Sequence, residues 1–222
     1  MTNSNHCVSR RGFLKTATAA GAATMIGTLG NPATASQHQT GMPKRPFGRT
    51  GIDVPILAFG GSLNTSLSTL LLRQAVKWGV TYWDTANTYM GGRSEKGMGK
   101  YLAKYPADRK RIFLVTKSHA WNIEGMSEDL NLSLERMRTD YIDLYFMHSV
   151  SSGNELTADK KAWAEKKKAE GKIRLFGFST HSNMEECMLA ASGLRWVDGI
   201  MMRYNYRLMH TDDMRRAMDA CS

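Results

Sequence analysis

The chain has 222 residues and a formal net charge of +10, and this length is sufficient for one sizeable hydrophobic core. Its three cysteines include no CxxC pair, so the sequence predicts neither a disulfide framework nor a cysteine-based metal knuckle. The basic residues are not interleaved with aromatic residues, which argues against a nucleic-acid partner, and the basic excess instead suits an anionic ligand.

The N-terminus has the pattern of a targeting segment. Paired Arg10 and Arg11 precede Gly12 and Phe13, an Ala/Gly/Thr-rich run covers residues 16–30, and Ala33–Ala35 gives a small-x-small cleavage site. We therefore predict that residues 1–35 are a twin-arginine signal peptide. Its partner would be the Tat translocase, and its destination the periplasm or another extracytoplasmic space. The apolar run is too short and too weakly hydrophobic for a stable membrane anchor. The alternative is a disordered basic N-terminus.

A short linker and a hairpin are predicted to follow. Residues 36–43 have the composition of a linker, and residues 45–55 carry Gly48 and Gly51 at the centre of a hairpin. Residues 56–59 form the first predicted strand of the main sheet, which ends at Gly60 and Gly61. Two glycines at that point let the backbone approach a planar ligand closely, or they serve a tight turn alone.

Strands and helices then alternate along the chain. Helices are predicted at residues 65–78, 94–104, 127–138, 158–170 and 183–192, with a last one from residue 211. The third is expected to begin at Ser127 as its N-cap, and the fourth to end at Gly171. Five strands lie between or after them, at residues 81–84, 112–115, 142–147, 173–178 and 199–204. This order predicts an α/β fold, a parallel (β/α)8 barrel over residues 44–222. Six strands are present where a closed barrel needs eight, so we expect a C-terminally truncated fragment of a longer protein.

Polar residues follow four of these strands at a regular interval. Asp84, Lys117, His148 and Ser179 are separated by 31 to 33 residues, the length of one strand-helix unit. Tyr89 lies on the loop after Asp84. In parallel barrels the active site lies at the carboxyl ends of the strands. Because a phenol has an ordinary pKa of about 10, Tyr89 can take part in proton transfer near neutral pH only if a cation stabilises its phenolate.

Asp84, Tyr89, Lys117 and His148 resemble, in order and spacing, the catalytic tetrad of the aldo-keto reductases. The resemblance extends over the chain from about Lys44 onward, through residues 49–51, 92–95, 139–145 and 171–174. Residues 177–181 and 204–206 are similar to a bacterial branch of the family that often carries a C-terminal iron-sulfur segment. An iron-sulfur cluster is therefore expected only in a C-terminal part beyond residue 222.

The resemblance implies a reaction and a role for each tetrad residue. An aldehyde or ketone and its alcohol would be interconverted by hydride transfer, with Tyr89 as proton donor. Lys117 would lower the pKa of Tyr89 by favouring the phenolate, Asp84 would hold Lys117, and His148 would orient the carbonyl. This scheme assigns no metal ligand.

The resemblance also implies a nicotinamide cofactor, expected to be NADPH with NADH not excluded. The sequence contains no GxGxxG motif, so it gives no support for a Rossmann-type cofactor site. The expected cofactor-binding residues are Gly60, Gly61, Asp84, Ser179 and Thr180. Thr180 stands where many family members have asparagine, so recognition of the cofactor's amide is expected to differ. The sequence leaves the carbonyl substrate open.

Two other functions remain open from the residues. His119, His148 and His181 follow strands and, with Asp84, form a candidate zinc set of a metal-dependent hydrolase barrel. Such barrels also use ligands on the first strand, and residues 58–60 supply none. The other alternative is a catalytically inert barrel that acts as a binding or regulatory subunit.

Overall fold

A computed structural model describes residues 41–222. The predicted signal peptide and all but the last three residues of the predicted linker lie outside this range. Within it, no helix is long and apolar enough to cross a membrane.

An antiparallel hairpin comes first. Its strands are β1 (Lys44–Pro46) and β2 (Asp53–Pro55), with Gly48 and Gly51 at positive φ in the turn between them. The Phe47 and Phe113 rings lie 5.9 Å apart, so the hairpin packs on the inner face of the main sheet. The predicted hairpin is confirmed.

The main sheet has six parallel strands in chain order. They are β3 (Ala58–Gly60), β4 (Tyr82–Asp84), β5 (Phe113–Ser118), β6 (Ile142–Met147), β7 (Ile173–Thr180) and β8 (Gly199–Met202). In the register, Gly60 lies beside Asp84, and Asp84 beside Val115. The strands form a curled half-barrel, which confirms the predicted β/α barrel class. Among the described residues, β3 and β8 are the edges of this sheet.

Helices connect the strands and cover the outer face of the sheet. They are α1 (Thr69–Lys77), α2 (Arg93–Lys104), α3 (Ile123–Met137), α4 (Ala158–Ala169), α5 (Met184–Ser192), the short α6 (Tyr206–Met209) and α7 (Asp212–Ala220). Helix α1 begins later than predicted because residues 65–67 form a separate 3-10 turn capped by Asn64. Gly171, at φ 68°, follows the end of α4 as predicted.

The predicted N-cap of α3, Ser127, was wrong by five residues. The Asn122 side chain accepts a 2.8 Å hydrogen bond from the Gly125 backbone N–H and caps the helix. Ser127 lies within the first turns, where its hydroxyl donates to the Ile123 carbonyl. Asparagine caps helices as well as serine does, so the earlier cap extends the helix toward the end of β5.

Apolar residues on the two faces of the sheet form two layers of core. The layer under the helices includes Trp83, Leu114, Tyr145, Phe176 and Phe178. The inner layer is formed by Phe113, Val115, Leu144, Phe146 and Leu175. Side chains alternate between faces along a strand, so Asp84, Lys117, His148 and Ser179 continue the inner layer at the carboxyl end of the sheet.

Candidate active site

Asp84 and Lys117 form a largely buried ion pair at the carboxyl end of the sheet. Lys117 Nζ lies 2.7 Å from each Asp84 carboxylate oxygen and 2.8 Å from the Thr85 carbonyl oxygen. The Lys117 side chain is 1% exposed and the Asp84 side chain is 15% exposed. Burial lowers the pKa of Lys117 and Asp84 opposes this shift, while burial raises the pKa of Asp84 and Lys117 opposes it. The pair keeps two charges at a site where each alone would be costly.

Tyr89 lies beside this pair on a 3-10 turn that ends at Gly92. Lys117 Nζ is 4.9 Å from the centroid of the Tyr89 ring, and the ring is half-buried. Burial and the Asp84 carboxylate raise the pKa of Tyr89. The expectation that Lys117 favours the phenolate of Tyr89 stays a prediction. Lys117 donates its hydrogen bonds to Asp84 and to the Thr85 carbonyl.

His148 completes the group. Its ring lies 5.8 Å from the Tyr89 ring, centroid to centroid, and the residue is 8% exposed. Burial, and then the charges of His119, Lys117 and His181, lower the pKa of His148 to about 3. Its Nδ1 atom is buried and has no hydrogen-bond partner among residues 41–222. His148 is therefore a neutral imidazole near pH 7.

The residues predicted to hold a cofactor lie in different environments. Gly61 donates its N–H to the Asp84 carbonyl at 2.7 Å, and a Cβ on Gly61 would lie 2.4 Å from that oxygen, so close packing explains this glycine. A Cβ on Gly60 would meet nothing within 4 Å. Ser179 faces inward, and its hydroxyl oxygen accepts the Ser149 backbone N–H at 3.0 Å. The Thr180 hydroxyl instead donates to the Ser182 carbonyl at 2.9 Å.

The Thr180 side chain shares the helix-facing side of β7 with Phe176 and Phe178, by alternation along the strand. This geometry does not favour its hydroxyl as a cofactor ligand. A contact between Thr180 and the cofactor stays a prediction, as do the contacts expected for Gly60, Gly61, Asp84 and Ser179.

The three histidines of the zinc alternative form a row. The His148 ring lies 3.9 Å from the His119 ring and 6.4 Å from the His181 ring. Among the described residues, however, no group of three or more histidine, cysteine, aspartate or glutamate side chains is arranged to hold a metal ion. The geometry thus gives the hydrolase alternative no ligand set.

Two sets of supporting residues were missed in the sequence. Ser94 shares a 2.7 Å hydrogen bond with the Thr85 hydroxyl and donates to the Gly61 carbonyl at 2.6 Å, which ties α2 to the end of β4. Glu95 and Arg136 form a second pair behind Tyr89. Residues 92–95 belong to a stretch that resembles the family, but their partners are distant in sequence and carry no motif of their own.

Two family models match different parts of the chain. The model of the aldo/keto reductase family matches residues 57–222, and the model of the twin-arginine translocation signal sequence matches residues 7–27. Methylglyoxal reductase YeaE of Escherichia coli is 38% identical over 119 residues, which cover 52% of this chain and 40% of that protein. L-galactose dehydrogenase of Arabidopsis thaliana is 28% identical, with 61% and 47% coverage. The chain thus spans about half the length of these relatives.

Solved structures show the same fold. An aldo-keto reductase from Bacillus halodurans superimposes with a TM-score of 0.65 at 28% identity, covering 73% of this chain and 58% of that one. A second, from Klebsiella pneumoniae in complex with NADP and acetate, gives a TM-score of 0.62 at 27% identity, with 77% and 62% coverage.

Proposed function

Since the chain belongs to the aldo/keto reductase family, we propose that the protein is an NAD(P)H-dependent oxidoreductase that interconverts an aldehyde or ketone and its alcohol. The observation that carries this proposal is the Lys117–Asp84 ion pair, buried at the mouth of the sheet with the Tyr89 and His148 rings beside it. An aspartate–lysine pair that serves stability alone has no need of a half-buried phenol and a neutral imidazole at the same place.

The proposed roles follow from the contacts of each side chain. The Tyr89 hydroxyl donates its proton to the substrate oxygen, and the nearby Lys117 ammonium stabilises the phenolate that remains. Asp84 holds that ammonium through two 2.7 Å contacts. His148, neutral because burial lowers its pKa, donates a hydrogen bond that orients the carbonyl without competing for the proton. A bound nicotinamide cofactor supplies the hydride that adds to the carbonyl carbon.

The residues present fit the nicotinamide end of such a cofactor. The Ser179 oxygen accepts the Ser149 N–H, which leaves the hydroxyl hydrogen available for an amide oxygen. Gly60 has open space at its Cβ position, where a flat ring can lie against the backbone. The bound NADP of the Klebsiella structure supports NADPH as the cofactor. The preference over NADH stays a prediction.

The organisation of the whole protein is also a proposal. We propose residues 1–35 as the signal peptide, 36–43 as the linker and 44–222 as the barrel part, with two further strand-helix units completing the sheet. Support comes from β3 and β8, which each pair on one side only, and from the exposed Leu67 and Leu70 near β3. The twin-arginine signal indicates export, and the iron-sulfur segment stays a prediction for the reading frame downstream.

The test is a Tyr89→Phe substitution in the full-length protein. Methylglyoxal, which the name of the E. coli relative specifies, is the first carbonyl to assay, followed by a panel of other aldehydes and ketones. Turnover, followed by the absorbance of reduced nicotinamide, should fall by about 10² to 10⁴-fold because the proton donor is lost. The dissociation constant of NADPH, from a fluorescence titration, should change by less than about twofold.

Near wild-type turnover in Tyr89→Phe would reassign the proton donor, with His148 as the next residue to test. A wild-type protein that neither binds NADPH nor reduces any carbonyl would instead favour the inert binding or regulatory subunit.

A further inference from the structure

The side chain of Arg136 extends from the end of α3 to the loop that carries Tyr89. Its Nη1 atom donates to the Asn87 carbonyl at 2.9 Å and to Glu95 Oε2 at 3.1 Å. At the other end of the loop, a Cβ on Gly92 would lie 2.5 Å from Arg136 Cζ, so the guanidinium packs directly on that glycine. One side chain thus contacts both ends of the Asn87–Gly92 segment.

Glu95 holds this guanidinium in place. The residue is fully buried at 0% exposure in the first turn of α2. Its Oε1 atom accepts a 2.7 Å hydrogen bond from the Thr116 hydroxyl, one residue before Lys117. A buried carboxylate is costly unless it is paired and hydrogen-bonded, and here both oxygens have partners. The pair therefore connects α2, α3 and the end of β5 behind the Tyr89 loop.

The loop itself has a backbone that needs support. Met90, Gly91 and Gly92 all have positive φ, at 53°, 63° and 81°. Left-handed conformation is unfavourable for a methionine, so such a segment persists only when its surroundings hold it. Within the loop, the Tyr89 and Gly91 N–H groups bond to the carbonyls of Ala86 and Thr88. These local bonds shape the turn. The Asn87 N–H also donates to the Lys117 carbonyl at 3.0 Å, which ties the first residue of the segment to β5 but leaves residues 89–92 to other contacts.

We propose that Arg136, held by Glu95, is a positioning residue that fixes the Tyr89 loop so that the phenol lies beside Lys117 and His148. The inference rests on the proposed role of Tyr89 in proton transfer. Arg136 acts through the backbone of residues 87–92, which it contacts at Asn87 and Gly92.

The experiment compares Arg136→Met with Arg109→Met in the full-length protein. Arg109 makes an equivalent ion pair, with Nη1 2.9 Å from the buried Asp143, but at the opposite end of the sheet. Both substitutions leave a buried carboxylate short of a partner, so both lower stability. Only Arg136→Met should raise the hydrogen-exchange rates of the Tyr89 and Gly91 amides, by at least about tenfold. Only Arg136→Met should lower kcat, by about 10 to 100-fold with little change in KM, because a small displacement of the donor is enough.

If Arg136→Met does not fold, Arg136→Lys replaces it. A lysine keeps the charge but cannot reach Asn87 and Glu95 with one planar group, so the same two changes should appear in smaller size. The proposal would be overturned if the Arg136 and Arg109 variants had equal hydrogen-exchange rates at the Tyr89 and Gly91 amides and equal kcat. Absence of turnover in the wild-type protein would overturn the role of Tyr89, while the exchange rates decide separately whether Arg136 anchors the loop.

Discussion

Two aspartates at opposite ends of the same sheet have very different partners. At the amino end, Asp143 is 2% exposed, and its Oδ2 lies 2.9 Å from both Arg109 Nη1 and the Leu114 backbone N–H. Its Oδ1 accepts from Arg174 at 2.8 Å. Two arginines and a backbone donor thus satisfy both oxygens, and Asp143 ties β6 to β5 and β7.

At the carboxyl end, Asp84 has one cationic partner, Lys117, and the polar groups nearby are incompletely paired. His148 Nδ1 and Asn87 Oδ1 are both buried without a hydrogen-bond partner among the described residues. Buried polar groups are normally satisfied, so unpaired ones need an explanation. At the amino end the aspartate's oxygens are fully paired and hold three strands together, whereas at the carboxyl end hydrogen-bonding capacity is left unused beside Asp84.

The largest effect is expected for Lys117→Met. Without its ammonium, nothing opposes the Asp84 carboxylate, which already raises the pKa of Tyr89, and the phenolate loses its cation. Turnover of carbonyl reduction should fall by about 10³-fold or more, equivalent to about 4 kcal/mol of transition-state stabilisation. Steady-state kinetics of the full-length variant measures this. Lys160→Met is the matched control, because Lys160 is also buried and its ammonium donates to the Glu155 carbonyl, away from Tyr89 in the chain. An equal loss of turnover in both variants would contradict the special role of the carboxyl end.

A large effect on stability, rather than activity, is expected for Asp143→Ala. The substitution leaves Arg109, Arg174 and the Leu114 N–H without their acceptor. The free energy of unfolding should fall by about 3 kcal/mol, because removing one partner strands buried charge. Urea denaturation measures this loss, and turnover per folded molecule should stay within about twofold of wild type. If Asp143→Ala abolished turnover at unchanged stability, the division between the two ends of the sheet would be wrong.

The smallest effect concerns pH and His148. The folded protein holds the pKa of His148 near 3, below the ordinary value of 6.5, because burial disfavours the imidazolium. The unfolded chain therefore binds the proton more readily than the folded protein does. The contribution of neutral His148 to the free energy of unfolding is complete above pH 6.5 and is lost as the pH falls toward 3. Between pH 7.5 and pH 5, wild type should lose about 1 kcal/mol more stability than His148→Gln, allowing for solvent screening. The exposed His210→Gln serves as control in the same denaturation series and should behave like wild type.

The sequence by itself determined the family, the fold class and the residues at the carboxyl end. Asp84, Lys117 and His148 lie where the repeat of strand-helix units predicts them, because parallel strands all end at one edge of the sheet. The hairpin at Gly48 and Gly51 was equally readable, since its signal is local. The start of α3 was not, because Asn122 and Ser127 are both good caps and the local sequence does not rank them.

Only the tertiary structure decided how these residues are held and charged. Arg136 reaches Asn87 and Glu95 across 49 and 41 residues of sequence, and those contacts exist because α2 and α3 pack side by side. The pKa of Tyr89 is raised because folding partly buries the phenol and places it near the Asp84 carboxylate. A motif specifies which groups meet at a strand end. Burial and hydrogen bonding set their charges, and both depend on neighbours that the chain brings together only when it folds.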